Sequence, residues 1–190
     1  MAKIFLTGPV QVGKTTLIDR VLNRLALRIG GMRTRRVSLD RAHPRFTLTD
    51  IGTGESSEFA RRRGTEVDVD TRVFERAGAE AVRRGVREAD LIVLDELGRM
   101  ELEAEEFQRA VFESLDSEKP VLGSIKPEEN PFLDAVRSHP AVEVIPVTEE
   151  NRDALVEVVL GKLRSGTRGT RRRGDAETRG NRDAGEGAEA

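Results

Sequence analysis

Gly8-Pro9-Val10-Gln11-Val12-Gly13-Lys14-Thr15 follows the apolar run Ile4-Phe5-Leu6 and leads into Thr16-Leu17-Ile18-Asp19-Arg20-Val21-Leu22, a stretch with helical spacing. The order is strand, loop, helix, and in that setting G-x-x-x-x-G-K-[ST] reads as a phosphate-binding P-loop. Such a loop turns its backbone N–H groups, with the open N-terminus of the following helix behind them, onto the β-phosphate of a nucleotide. Glycine is needed where the backbone must come close to the anion. Lys14 is expected to reach the β- and γ-oxygens as a point charge, and the Thr15 hydroxyl to take one Mg²⁺ position. The bland alternative is a glycine turn with a solvated lysine, and the flanking strand and helix argue against it.

At 190 residues the chain has room for one α/β domain with a proper core. Its 32 Lys and Arg and 34 Asp and Glu are interspersed and leave a net charge of −2, so no one-signed field points to nucleic acid or a lipid surface. Without cysteine, disulfides, structural thiolate zinc and thiol nucleophiles drop out. The absence of Trp and Tyr weakens any proposal of stacking platforms for single strands. The run after Met1-Ala2-Lys3 is too short for a secretory signal, and no apolar run has membrane-spanning length. A cytoplasmic protein is the expectation.

Beyond the loop, Leu17, Val21, Leu22, Leu25 and Ala26 share a helical face, and Gly30-Gly31 is expected to end that helix. Met32 to Leu39 and Arg45 to Ile51 read as two strands in hairpin, with a charged turn from Asp40 to Pro44 between them. Residues 52 to 68 carry few apolar anchors and read as a loop. Asp70-Thr71 is placed to cap a helix through Val73, Phe74, Ala77, Ala81, Val82 and Val86. Leu91-Ile92-Val93-Leu94 is four consecutive apolar residues, the mark of a strand covered on both faces. Glu101 to Ser117 reads as a helix, Pro120 to Ile125 as a strand, Phe132 to Arg137 as a short helix, Val142 to Ile145 as a strand and Glu149 to Leu163 as a closing helix. Strands alternating with helices predict an α/β fold with a mostly parallel central sheet between helical layers. Residues 1–164 are expected to form this domain. From Ser165 to Ala190 no large apolar residue occurs, and a disordered polar tail is expected.

Binding phosphate is half of a hydrolytic site; a metal-holding acid and a group that activates water are the other half. Asp95 ends the apolar strand, where open α/β sheets bind their ligands, and is the candidate to hold Mg²⁺ directly or through a water. Glu96 follows it and, facing the γ-phosphate, could take a proton from the attacking water. Ser124, at the end of the next strand, could bond the lytic water or the γ-phosphate, or simply its own backbone. Lys126 is a possible charge partner. Arg99 and Arg152 are the arginines nearest these motifs, and neither can be set at the γ-phosphate from sequence; an oligomer could supply one in trans. Thr148 and Asn151 lie where many P-loop proteins pass the base, and both also suit a helix cap, the reading preferred for Thr148.

Phe5-Leu6-Thr7-Gly8, V-G-K-T-T-L-I, L-I-V-L-D-E-L-G-R-M-E-L from Leu91 to Leu102, G-S-I-K-P from Gly123 and V-T-E-E-N-R-D from Val147 occur in an order that resembles the small nucleoside-triphosphatase family that includes cancer-related nucleoside-triphosphatase. The similarity covers about residues 3 to 160, and the D-E-L-G-R-M-E-L string is its more selective marker. It implies a P-loop NTPase fold of RecA-like (ASCE) type, a three-layer αβα sandwich, and Mg²⁺-dependent hydrolysis of ATP, GTP and other nucleoside 5′-triphosphates with broad base tolerance. By position it makes Gly8, Pro9, Val10, Gln11, Val12, Gly13, Lys14, Thr15 and Thr16 the phosphate loop, Asp95 the metal-associated acid and Glu96 the catalytic base. Val10 and Gln11 stand where that family commonly carries Pro-Gly, and Arg35 and Arg36 where it tends to carry two acids.

Two other readings share these motifs. A nucleotide or polynucleotide kinase would pass the phosphoryl group to a hydroxyl, with Arg61-Arg62-Arg63 and Arg83-Arg84 as lid-like basic groups, although solvated surface charge explains both clusters better. A nucleotide-dependent switch would bind a partner and turn over slowly, as P-loop proteins lacking an arginine finger do.

Overall fold

A computed structural model describes residues 1–37 and 43–177. The strands are β1 (Lys3–Thr7), β2 (Ile29–Arg36), β3 (Arg45–Asp50), β4 (Ser56–Arg63), β5 (Glu66–Val69), β6 (Leu91–Leu97), β7 (Val121–Ile125) and β8 (Val142–Pro146). The helices are α1 (Lys14–Leu22), α2 (Thr71–Val73), α3 (Ala79–Glu88), α4 (Glu105–Asp116), α5 (Pro131–Ser138) and α6 (Arg152–Glu177), with a π-helical turn, Phe74–Gly78, joining α2 to α3. All strands form one sheet in the order β5-β4-β3-β2-β6-β7-β1-β8. From β2 to β8 the strands are parallel, whereas β3, β4 and β5 add to the β2 edge as an antiparallel meander.

Strand alternation divides the core in two. Phe5, Ile92, Leu94 and Val121 face the layer built from α3, α4 and α5, where Phe74, Val82, Phe107 and Leu133 are buried. Ile4, Leu6, Leu91, Val93 and Leu122 face α1 and α6 on the other side. Because both faces are covered, the central strands are apolar without interruption, as expected of a parallel sheet. No described helix is long and apolar enough to cross a membrane.

Four local expectations are revised. Gly30 and Gly31 lie inside β2 instead of ending α1, whose last residue is Leu22. Gly31 has φ 99°, and a Cβ there would come within 2.2 Å of the Val93 carbonyl oxygen. The glycine is required by a close approach of β2 to β6, not by a helix end. Residues 52 to 68 are not a loop; they hold β4 and β5. These strands were hidden because one face alone is covered: Phe59 packs edge-on against Phe74 at 4.7 Å while Arg61 and Glu58 pair in solvent. The helix expected from Glu101 starts at Glu105, after turns. Finally, α6 runs from Arg152 to Glu177, beyond Leu163 and into the stretch expected to be a tail. That sequence has no large apolar residue and holds glycine at 166, 169 and 174, so its intrinsic helix propensity does not explain the extension. Ser38, Leu39 and most of the charged turn after them, like the tail from residue 178, lie outside the described residues.

Lys3 ties the start of β1 to the far end of α4. It is 2% exposed, and its ammonium donates to the carbonyls of Ser114 at 2.7 Å and Ser117 at 2.9 Å. These are last-turn carbonyls that the helix itself cannot satisfy. Burial lowers the pKa of Lys3 to about 8, with Asp116 pulling the other way. The native state therefore binds fewer protons than the unfolded chain between about pH 8 and 10.5, so this group's contribution to stability rises with pH across that window and is lost as pH falls through 8. Lys3→Met should lower stability by about 1–3 kcal/mol in urea unfolding, because the carbonyls lose their donor. The gap to wild type should widen between pH 8 and pH 10, and a gap independent of pH would contradict the burial of a titrating amine.

Candidate active site

The parallel strands β6, β7 and β1 end side by side, and their carboxyl ends carry the residues singled out by spacing. The loop after β1 is held open by its backbone. Gly8 has φ 143°, and a Cβ there would meet the Val147 carbonyl oxygen at 2.5 Å. Gln11 takes φ 67°, a left-handed conformation that costs a non-glycine residue about 1–2 kcal/mol. Gly13 and Lys14 then start α1, so the first N–H groups of that helix open onto the loop. Lys14 Nζ donates to the carbonyls of Gly8 at 2.8 Å and Pro9 at 2.9 Å, spanning the loop from within. Burial lowers the Lys14 pKa; Glu96 and Asp95 raise it and Lys126 lowers it, so these four charges share one field.

Asp95 is fully buried at the end of β6. Its Oδ1 accepts from Ser124 Oγ at 3.0 Å and Thr15 Oγ1 at 3.3 Å, and its Oδ2 lies 3.1 Å from Arg33 Nε. That last contact is an ion pair without hydrogen-bond alignment, and no other described group donates to Oδ2. Burial pushes the Asp95 carboxyl upward from its ordinary range, and Arg33, Ser124 and Thr15 pull it back. Ser124 is thus spent on the acid, directly opposite it in the β6–β7 register. Thr15 Oγ1 and Asp95 Oδ1 set a hydroxyl beside a carboxylate, oxygen ligands of the kind that fit Mg²⁺, which takes few protein ligands and completes its shell with phosphate and water.

Glu96 interrupts the strand. Its φ is 79°, and the β6–β7 register shifts between Asp95 and Leu97. The bulge breaks the alternation that would otherwise turn Glu96 away from Asp95's site. Its side chain is 44% exposed, with Oε1 3.0 Å from Lys126 Nζ. The next turn is fixed from beneath by Glu101, which is 3% exposed and accepts the Gly98 N–H at 3.0 Å. Burial pushes Glu101 up to about 7.

The remaining candidates separate. Arg99 is exposed in the turn after β6. Arg152 reaches the other side of the loop, where its Nη1 donates to the Val12 carbonyl at 3.2 Å. There it lines a cavity of about 300 Å³ with Gly13, Thr16, Leu17, Arg20 and Asp153. Thr148 and Asn151 form a reciprocal cap: Thr148 N–H donates to Asn151 Oδ1 at 2.8 Å and Asn151 N–H to Thr148 Oγ1 at 3.3 Å. The Asn151 amide nitrogen is also engaged, on the Pro146 carbonyl at 3.0 Å, so the cap reading extends to Asn151 and base pairing does not fit it.

Arg33 was missed by sequence reading. It stands opposite Asp95 in the β2–β6 register, is 14% exposed, and is shared with Asp19 of α1 at 2.7 Å. Arg35 reaches the same Asp19 at 3.6 Å, giving one of the unusual arginines a partner within the fold. Arg33→Met should cost about 3–5 kcal/mol in nucleotide-free unfolding, because it leaves a buried carboxylate without its cation. Adding Asp95→Asn should recover most of the loss; a single-variant cost below about 1 kcal/mol would show that Arg33 does not sustain Asp95.

The NTPase family model matches the chain over residues 3–160. The chain is 39% identical over 183 residues to nucleoside-triphosphatase THEP1 of Thermococcus kodakarensis, covering 89% of this chain and 98% of that protein. It is 34% identical over 172 residues to nucleoside-triphosphatase THEP1 of Methanosarcina acetivorans, covering 86% and 97%. The crystal structure of THEP1 from Aquifex aeolicus superimposes with a TM-score of 0.73 at 30% identity, covering 86% of this chain and 99% of that one. The solution structure of a human cancer-related nucleoside triphosphatase gives 0.70 at 28% identity, covering 87% and 98%. With the phosphate loop, the acid pair and the sheet order in place, the match over nearly the whole domain assigns the chain to the NTPase family.

Proposed function

We propose that the protein hydrolyses nucleoside 5′-triphosphates, ATP and GTP among them, to the diphosphate and phosphate in a Mg²⁺-dependent reaction. The observation that carries this reading is the convergence of Lys14, Thr15, Asp95 and Glu96 at neighbouring strand ends, with Lys14 feeling both acids. The THEP1 relatives, named as nucleoside-triphosphatases, support it. Bound by Thr15 and Asp95, Mg²⁺ would neutralise charge on the β- and γ-phosphates.

The chain's own groups do the rest. The N–H groups at the start of α1 receive the phosphates, and Lys14 exchanges its loop carbonyls for phosphate oxygens. Arg33, Ser124 and Thr15 keep the Asp95 carboxylate fixed and favour its ionised form. Glu96, aimed out of the sheet by its bulge, accepts a proton from the attacking water. The cavity beside Gly13 and Arg152 adjoins the loop and suits the nucleoside half. With Asn151 committed to the cap, that side lacks the amide expected to read a base edge, which supports broad base tolerance.

Three of the basic groups that a kinase would use as a lid have partners within the fold, which supports their reading as surface charge. Arg83 is paired with Glu106 at 2.9 Å and Glu113 at 3.0 Å, Arg84 with Asp50 at 3.4 Å, and Arg61 with Glu58 at 2.7 Å. Phosphate release from ATP, GTP, CTP and UTP should be measured with Mg²⁺ alongside nucleotide binding. Wild type should hydrolyse several of them; Glu96→Gln should bind normally with kcat reduced about 100- to 10,000-fold, and Lys14→Ala should lose both. Equal binding with no hydrolysis by wild type would favour the switch, and label on an acceptor hydroxyl the kinase.

A further inference from the structure

Hydrolysis of a phosphoanhydride is greatly accelerated by a cation at the terminal phosphoryl group besides the P-loop lysine, and P-loop enzymes commonly use an arginine. Two of the three arginines near this site are engaged by the fold. Arg99 is exposed in its turn, Arg152 lies on the nucleoside side, and Arg33 is held between Asp95 and Asp19. Lys126 stands instead beside the second acid. Its backbone N–H donates to the Leu97 carbonyl at 2.9 Å, fastening the end of β7 to β6 just beyond Glu96. Arg137 of α5 holds the carbonyls of Lys126 and, at 2.9 Å, Glu128, so the turn is braced on its other side. The stem of Lys126 runs over Gly98, where a Cβ would meet its Cδ at 3.1 Å. Thus the ammonium is carried past the turn after β6, close against its backbone. It ends 3.0 Å from Glu96 Oε1, on the side of the site that also holds Lys14.

We propose that Lys126 is a catalytic residue that stabilises the transferring γ-phosphoryl group in cis, in place of an arginine finger. The inference rests on the hydrolase reading above and adds to it a residue and an exchange of partners. Before nucleotide arrives, Lys126 and Glu96 neutralise each other. The entering γ-phosphate competes for the ammonium with its equatorial oxygens, which carry the charge in the transition state. As Lys126 moves to the phosphate, Glu96 is released to take a proton from water. The water oxygen bonds to the γ-phosphorus, the bond from that phosphorus to the β,γ-bridging oxygen breaks, and its electron pair leaves on the diphosphate. The proton passes to Glu96 and later to solvent, so the reaction balances as triphosphate plus water giving diphosphate plus phosphate.

The test compares full-length wild type, Lys126→Met and Lys126→Arg by three readouts: kcat across pH, affinity for a non-hydrolysable triphosphate with Mg²⁺, and affinity for the diphosphate with and without aluminium fluoride, which imitates the planar phosphoryl group. The methionine variant should lose about 100- to 1,000-fold in kcat, as when one donor to a developing charge is removed. It should bind the triphosphate analogue within about 3-fold of wild type, because the interaction belongs to the transition state. The gain in affinity from aluminium fluoride should vanish in Lys126→Met and return in part in Lys126→Arg, whose melting temperature serves as the folding control. An undiminished fluoride gain in Lys126→Met overturns the inference. So does a kcat loss confined to low pH and absent at high pH, since Lys126 would then act only on the charge of Glu96. Failure of wild type to bind or hydrolyse any triphosphate removes the hydrolase reading itself, and the inference falls with it.

Discussion

A buried carboxylate at the end of the central strand is the constraint around which this fold is arranged. Taking Asp95 out of water is costly unless its charge is matched and its oxygens are bonded. The match comes from the neighbouring strands and from α1: Arg33 on β2, Ser124 on β7 and Thr15 at the first turn of the phosphate-loop helix. Each partner depends on register. Arg33 and Ser124 stand level with Asp95 in their ladders, so a slip of one residue in either pairing would turn the partner to the wrong face. Keeping this acid satisfied therefore also keeps β2, β6, β7 and the start of α1 in the arrangement that a phosphate site requires.

Immediately after that well-satisfied acid, the chain does the opposite. Glu96 takes a left-handed backbone conformation, interrupts the ladder and stays half-exposed beside Lys126. The contrast suits the two tasks proposed for these acids. An acid that holds a metal benefits from fixed orientation, whereas a proton acceptor needs access to water and freedom to change partners. Glu101 beneath the turn and Arg137 behind β7 keep that freedom local by anchoring the segments on either side.

Much of this was legible in the sequence because the relevant signals were local. The loop from Gly8 to Thr15 is a contiguous motif, and Leu91 to Leu94 announces a strand buried on both faces that ends in Asp95 and Glu96. The αβα layering follows from alternation of strand and helix. What escaped was set by contacts distant in the chain or by ambiguous residues. Arg33 acquires its role from register with a residue on another strand, and no spacing encodes that. Glycines at 30 and 31 carry the same letter whether they stop a helix or let a strand approach its neighbour. The meander strands β4 and β5 bury little and are rich in charge, so their composition is that of a loop. Asn151 suits two uses in sequence, and only its contacts with Thr148 and Pro146 decide for the cap.

The place of β1 in the sheet has a consequence for synthesis of the protein. The strand that leads into the phosphate loop pairs with β7 and β8 and with no strand near it in sequence. On a ribosome, β1 emerges before both of its partners and must wait for residues 121–125 and 142–146 before its hydrogen-bonding edges are filled. The β2–β3–β4–β5 meander has partners close by in the chain and can pair much earlier. The loop after β1, made before either partner strand, is thus among the last parts of the domain to be built. A nascent chain gains its affinity for nucleotide only when almost the whole domain has left the exit tunnel.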